Sequence, residues 1–301
     1  MTKTGWIKAG LATGLVALGG GVVLLETGVL VRWTATHSDW QPTPMADLEM
    51  ECGARSTPIP WTYCVHRTPG STSGDLVVHL HGRRGTARWW NDSTYYTGAL
   101  YERWEEAGTP APTVVSVSFG PLWVLLGETG FAFDAVLEDA TASAAAWAGH
   151  DFERTMVVGE SMGGYNALLA GLHHPERFER VAALCPPLST ESPFGSGAIE
   201  RMGESSLREA FMLLAFSRAF FDDDAHWRRS DPLARILGGE AFEPTLHLSC
   251  GTDDPWGCAD GAQALHDAVQ AAGGASELEL LPEGHCAIDE AALADFLTEP
   301  G

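Results

Sequence analysis

Short β-branched runs alternating with helical apolar patterns predict an α/β protein: a mostly parallel central sheet with helices on both faces and an inserted helical lid. Three observations carry that expectation. Strand-like runs recur at 61–67, 75–80, 113–118, 181–185, 245–249 and 277–281, with helical patterns at 95–107, 133–148, 262–272 and 288–297 between and after them. The chain has 301 residues and 45% hydrophobic content, ample for one large core. At Thr155-Met156-Val157-Val158-Gly159-Glu160-Ser161-Met162-Gly163-Gly164-Tyr165, a β-branched run breaks at a glycine and a helical pattern begins, with Ser161 at the break.

Taken in order, the chain opens on an apolar run. No charge occurs between residues 9 and 25, and apolar character resumes after Glu26 through Val31. The only lysines, Lys3 and Lys8, precede it and favour a cytoplasmic N-terminus. The stretch 9–31 is long enough to span a bilayer with Glu26 near the outer interface, so residues 1–33 are expected to be an uncleaved anchor. A cleaved signal segment is second, since Thr34-Ala35-Thr36 matches a processing site only loosely, and a buried soluble helix third. Under the first two readings the body lies outside the cytoplasm, in the membrane-anchored or secreted state. Residues 34–45 read as a linker with Pro42 and Pro44, and 46–301 as the body, interrupted by a lid at about 186–242 where strand–helix alternation lapses. Within the lid, 205–221 is Phe-rich and helical, and Asp222-Asp223-Asp224 reads as a solvated cap.

The net charge of -22 argues against nucleic acid or anionic headgroups as partners. Six cysteines fit an oxidising compartment: Cys52 and Cys64 bracket a Pro-rich loop and could close a small disulfide, while Cys250 and Cys258 flank a turn. No metal is expected, because no C-x-x-C pair occurs and the adjacent His173 and His174 point to different faces of a helix end.

The chemistry centres on Ser161. G-x-S-x-G between a strand and a helix is a nucleophile elbow: the turn lifts the hydroxyl above the sheet, and side chains at Gly159 or Gly163 would collide across it. A serine needs a base, and the base an orienting acid, in the order Ser, Asp or Glu, His on later strand ends. Of the six histidines beyond Ser161 only His285 occupies a Gly-preceded loop at a strand end. In the Gly251-Thr252-Asp253-Asp254 loop the acid is expected third after the glycine, which favours Asp254 over Asp253. The developing oxyanion needs two preset amides, for which Met162 and Arg83 are the candidates, the latter in the His81-Gly82-Arg83 loop. Gly82, Glu160 and Trp123 are expected to contact substrate; for Trp123, in the apolar loop 120–130, the bland alternative is a core-covering loop.

These residues resemble the α/β-hydrolase superfamily and, within it, the esterase group that includes esterase D, feruloyl esterases and the antigen 85 mycolyltransferases. The resemblance rests on His79-Leu80-His81-Gly82, the Gly159–Tyr165 motif, His174-Pro175-Glu176-Arg177-Phe178, Asp231-Pro232-Leu233, Gly251-Thr252-Asp253-Asp254 and Gly284-His285. It implies the α/β-hydrolase fold, a triad of Ser161, Asp254 and His285, no cofactor, and acyl-ester hydrolysis on a small-molecule, lipid or sugar ester. Transfer of the acyl group to a sugar or lipid alcohol, and a non-catalytic envelope binding protein on the same fold, are the alternatives. The lid and the 120–130 loop depart from the family pattern.

Overall fold

A computed structural model describes residues 35–195 and 216–299. Its frame is one eight-stranded sheet in the order β1-β2-β4-β3-β5-β6-β7-β8. The strands are β1 (Glu49–Arg55), β2 (Trp61–Arg67), β3 (Asp75–Leu80), β4 (Thr113–Ser118), β5 (Arg154–Glu160), β6 (Arg180–Leu184), β7 (Thr245–Gly251) and β8 (Ser276–Leu281). The β1–β2 and β2–β4 pairs are antiparallel and all others parallel. The inner parallel strands are buried nearly end to end, which is why they read in the sequence as continuous apolar runs rather than alternating ones.

Successive side chains still leave the sheet on opposite faces. Leu76, Val78 and Leu80 join one core with Phe133, Val136 and Leu137 of α2 (Gly127–Ala148), Leu168 of α3 (Met162–His173) and Leu265 of α6 (Cys258–Ala271). Val77, Val114, Met156 and Val158 join the other with Leu100 and Trp104 of α1 (Tyr96–Ala107) and Leu293 and Phe296 of α7 (Glu290–Thr298). The sheet is thus covered on both faces, as the alternation of elements implied. The Trp104 indole N–H donates to the Ala294 carbonyl at 2.9 Å, locking α1 to α7.

Several expectations need correction. The helix expected over 133–148 begins at Gly127, so the last four residues of the expected 120–130 loop are helical. The helix expected from residue 262 begins at Cys258. Both misreadings come from glycines taken as breakers. A Cβ on Gly130 would stand 2.9 Å from the Leu125 carbonyl, and one on Gly261 would stand 2.6 Å from Leu188, so these glycines permit close packing inside helices. Edge strand β1 went unread because its faces are mostly exposed, and its Gly53 lies under the Tyr63 ring. Between β6 and β7, two short helices, α4 (Asp224–Ser230) and α5 (Pro232–Leu237), were also missed. Asp223 caps α4 by accepting from His226 N–H, as the aspartate run suggested, and Asp231 caps α5 by accepting from Ala234 N–H. Of the expected 205–221 helix, 216–220 is helical and 205–215 lies outside the described residues. The expected anchor at 9–31 also lies outside them; among the described residues no helix is long and apolar enough to cross a membrane.

Asp231 also accepts a 2.8 Å hydrogen bond from the Tyr165 hydroxyl, tying α5 to α3. Burial pushes its carboxyl from 3.8 up to about 6 despite these donors. Between those values the folded state holds a proton that the unfolded chain has released, so this residue's contribution falls as pH rises and is constant above about 6. Asp231→Asn should therefore flatten the pH 4–6 region of the stability curve, with a difference from wild type reaching about 3 kcal/mol, measured by urea denaturation across that range. At the elbow, a Cβ on Gly163 would collide with the Leu80 carbonyl. Gly163→Ala should cost roughly 3 kcal/mol or more, read as a depressed thermal midpoint.

Candidate active site

β5 delivers Ser161 to the turn before α3, where its backbone takes φ 55° and ψ -116°. That conformation is strained for a residue with a Cβ. It is held by Ser161 N–H donating to the Leu184 carbonyl of β6 at 2.8 Å and by the Tyr165 N–H donating to the Ser161 carbonyl at 3.0 Å. A Cβ at Gly159 would meet the backbone of Gly163, and one at Gly164 would stand 2.6 Å from the Leu184 carbonyl. The expected collision across the elbow is therefore present, with a third strand added. Among the described residues the non-glycine positive φ values fall at Arg84, Ser161, Cys185 and Cys286, all in or beside this site.

Loops after β7 and β8 bring two more groups to the serine. His285 Nε2 stands 3.1 Å from Ser161 Oγ, and His285 Nδ1 stands 2.8 Å from Asp254 Oδ2. The geometry suits an imidazole that donates from Nδ1 to the carboxylate and accepts at Nε2 from the hydroxyl. Burial works to raise the Asp254 carboxyl, but the hydrogen bond and charge of His285, with the Trp256 amide, outweigh it and hold the group below the usual carboxylate range. Asp253 is exposed; its amide, donating to the Glu283 carbonyl at 3.0 Å, ties the acid loop to the base loop. Gly251 permits this contact, since a Cβ there would overlap the Gly284 and Glu283 carbonyls.

The candidate oxyanion amides are those of Met162 and Arg83. Met162 N–H opens α3, has no partner inside the helix and lies at the positive end of its dipole. Arg83 N–H makes no hydrogen bond among the described residues, whereas the neighbouring Gly82 is bonded at both ends. Gly82 N–H donates to Glu160 Oε1 at 2.8 Å, and its carbonyl accepts from His81 Nδ1 at 2.7 Å. Glu160 Oε2 accepts from His79 Nε2 at 3.0 Å and from the Tyr96 hydroxyl at 3.3 Å. Burial lowers His81 to about 4, so its ring is neutral and its Nε2 accepts from the Ser118 hydroxyl at 2.7 Å.

A cavity of about 440 Å3 opens over these groups, lined by Ser161, His285, Met162, Arg83, Gly82 and Glu160. Trp89, Tyr95, Phe216 and Trp256 supply its aromatic walls. Of the expected substrate contacts, Gly82 and Glu160 reach the cavity. Trp123 does not: it is 2% exposed and packs edge-on against His81 at 5.7 Å between ring centroids, behind the oxyanion loop. The apolar 120–126 segment is core-covering rather than a pocket wall. Sequence reasoning missed Trp89, Tyr95 and Trp256; the adjacency of Trp256 to the acid loop was the one available signal.

The cysteines follow the expected pattern in part. Cys52–Cys64 is a disulfide across β1 and β2, and Cys185–Cys286 is a second one, unforeseen, joining the end of β6 to the residue after His285. Cys250 and Cys258 are buried thiols beside Asp254. The hydrogen bond to Cys250, followed by burial, pushes the Cys258 thiol well up, as suits a neutral hydrogen-bond donor. His173 instead contacts Arg235, and His174 pairs with Asp134, so the two rings serve separate surface contacts.

A serine on the turn between a parallel strand and its helix, followed by an acid and a histidine on the next strand ends, is set in an α/β-hydrolase fold. Solved structures with this fold include esterase Est22 (15% identity, TM-score 0.64, covering 100% of this chain and 93% of that one) and an arylesterase (14%, 0.62, 92% and 89%). A ferulic acid esterase is similar over 84% of this chain and 98% of its own (14% identity, TM-score 0.58). No curated protein matches the chain significantly. Residues 139–279 match the Esterase family, described as "Putative esterase". That match takes in Ser161 and Asp254 and supports a carboxylic ester hydrolase. Asp254→Asn should lower kcat for a nitrophenyl ester by roughly 10^4-fold, through loss of the imidazole's orientation, while Asp253→Asn changes it little; steady-state kinetics of the two variants check the assignment.

Proposed function

We propose that the chain is an extracytoplasmic serine esterase that cleaves carboxylic esters through an acyl-enzyme. The observation that carries this reading is the continuous hydrogen-bonded path from Asp254 through His285 to Ser161, at 2.8 Å and 3.1 Å, under an open cavity. His285 takes the serine proton as Oγ attacks the ester carbonyl, and the carbonyl oxygen becomes an anion held by the Met162 and Arg83 amides. Collapse of the tetrahedral intermediate expels the alcohol, to which His285 returns the proton. Water then enters, loses a proton to His285 and attacks the acyl carbon; as this second tetrahedral intermediate collapses, His285 returns the proton to Ser161 Oγ and the carboxylic acid leaves. Asp254 stays ionised throughout and offsets the imidazolium charge.

The extracytoplasmic location is supported by the two disulfides and by the apolar 9–31 stretch behind Lys3 and Lys8. The body runs from about residue 46, with the segment at about 186–242 as a lid; Pro187 and Phe216, near the start and middle of that segment, both line the cavity. Ser161→Ala should abolish hydrolysis of short nitrophenyl esters, a loss on the order of 10^6-fold in kcat, with an unchanged thermal midpoint. Labelling of wild type by a fluorophosphonate probe checks the same serine, and full residual activity in the variant would sink the reading. Product analysis with sugar and lipid alcohols present separates hydrolysis from acyl transfer.

A further inference from the structure

The loop that follows β3 carries three arginines, Arg83, Arg84 and Arg88, in a chain whose net charge is -22. Most guanidinium groups elsewhere among the described residues are matched to carboxylates, Arg55 to Asp139, Arg103 to Asp295, Arg154 to Asp75 and Arg235 to Glu240 among them, while Arg218 lies over the Phe194 ring. The three on this loop are exposed and make no ion pair or side-chain hydrogen bond among the described residues. Their main chain is nevertheless fixed. Arg84 N–H donates to the Pro121 carbonyl at 2.7 Å, the Arg84 carbonyl accepts from Ser38 N–H at 2.9 Å, and Gly85 N–H returns to the Gly82 carbonyl at 3.0 Å. Arg83 lines the cavity beside Ser161 and His285; although the residue as a whole is exposed, burial of the part of its side chain set against the protein, with Arg84 next to it, works against its charge. Among the described residues the one carboxylate lining the cavity, Glu160, is already committed to Gly82, His79 and Tyr96.

Building on the esterase reading, we infer that the substrate is an anionic ester, with a carboxylate or phosphate group within one arginine's reach of the scissile carbonyl. Arg83 offers its backbone N–H to the carbonyl oxygen and its guanidinium to the anion; because both groups hang from one Cα, the separation between ester and anion is bounded. Guanidinium matches either oxyanion by paired N–H donors, and the Trp89, Tyr95 and Trp256 faces accommodate the apolar remainder. Arg84 and Arg88, exposed on the same loop, add a positive field that draws such substrates in against the protein's overall charge.

The experiment compares the nitrophenyl monoester of glutaric acid with nitrophenyl valerate, a neutral ester of the same chain length, and with a phosphate-terminated ester of similar length. Arg83→Gln keeps the backbone amide and should lower the anionic-to-neutral ratio of kcat/KM by roughly tenfold or more, chiefly through KM. Arg83→Lys should recover part of it, and added salt should depress the ratio in wild type. Whichever of the carboxylate and phosphate esters keeps the larger ratio names the anion. A ratio that Arg83→Gln leaves untouched for both esters overturns the inference. If wild type cleaves no ester and escapes the fluorophosphonate probe, the esterase reading has failed, and the anion site is then judged by calorimetric titration of glutarate and inorganic phosphate. Binding to wild type that weakens tenfold in Arg83→Gln upholds the site, and equal or absent binding in both overturns it.

Discussion

Between Gly159, Gly163 and the Leu80 carbonyl there is no room for one methyl group, and the arrangement of the site hangs on that closeness. Ser161 is held at positive φ, a conformation worth roughly 1–3 kcal/mol of strain, and persists there because strands on both sides fix the backbone around it. β3 supplies the carbonyl against which α3 packs, and β6 supplies the acceptor for the Ser161 amide. A parallel sheet covered on both faces is stiff enough to hold such a turn, and its carboxyl strand ends present the acid, base and oxyanion loops on one rim.

Glu160 connects the two halves of that rim. A carboxylate that is 2% exposed would be costly unless matched by donors, and here Gly82, His79 and Tyr96 provide them. The residue immediately before Ser161 thereby fixes the loop after β3 at Gly82. The variable position of G-x-S-x-G is, in this chain, a tie between the elbow and that loop, and it also lines the cavity. His81, neutral in the core and bonded to Gly82 and Ser118, secures the same loop from behind, with Trp123 packed against it.

The inner strands were legible because burial on both faces leaves them largely apolar, and Ser161 follows the apolar end of β5 directly. The Asp254 loop follows β7, whose buried run carries His247 and Ser249, and the His285 loop follows β8, which was legible from its alternation of Glu and Leu and is only partly buried. What stayed hidden has physical reasons. Gly130 and Gly261 looked like punctuation but serve close helix packing, and β1 is an edge strand with little burial pattern to betray it. Trp123 drew attention as a large apolar side chain in a loop near the site, yet local sequence cannot say which side of a loop faces the core. The cavity walls come from Trp89, Tyr95, Phe216 and Trp256, which lie far apart in the chain and converge only through topology. The Cys185–Cys286 link, with a sequence separation of 101, was invisible for the same cause.

That link separates two tasks that a hydrolase must otherwise reconcile. It closes a covalent ring containing the segment between β6 and β7, β7 with the Asp254 loop, and β8 with the His285 loop, and it fastens His285 through Cys286 to the end of the strand beside the elbow. Within the ring, the segment between β6 and β7 can change length or wall residues while the imidazole stays referred to the sheet. The histidine's position is thus inherited from β6 and not from whatever covers the cavity, so substrate choice can drift without realigning the proton path.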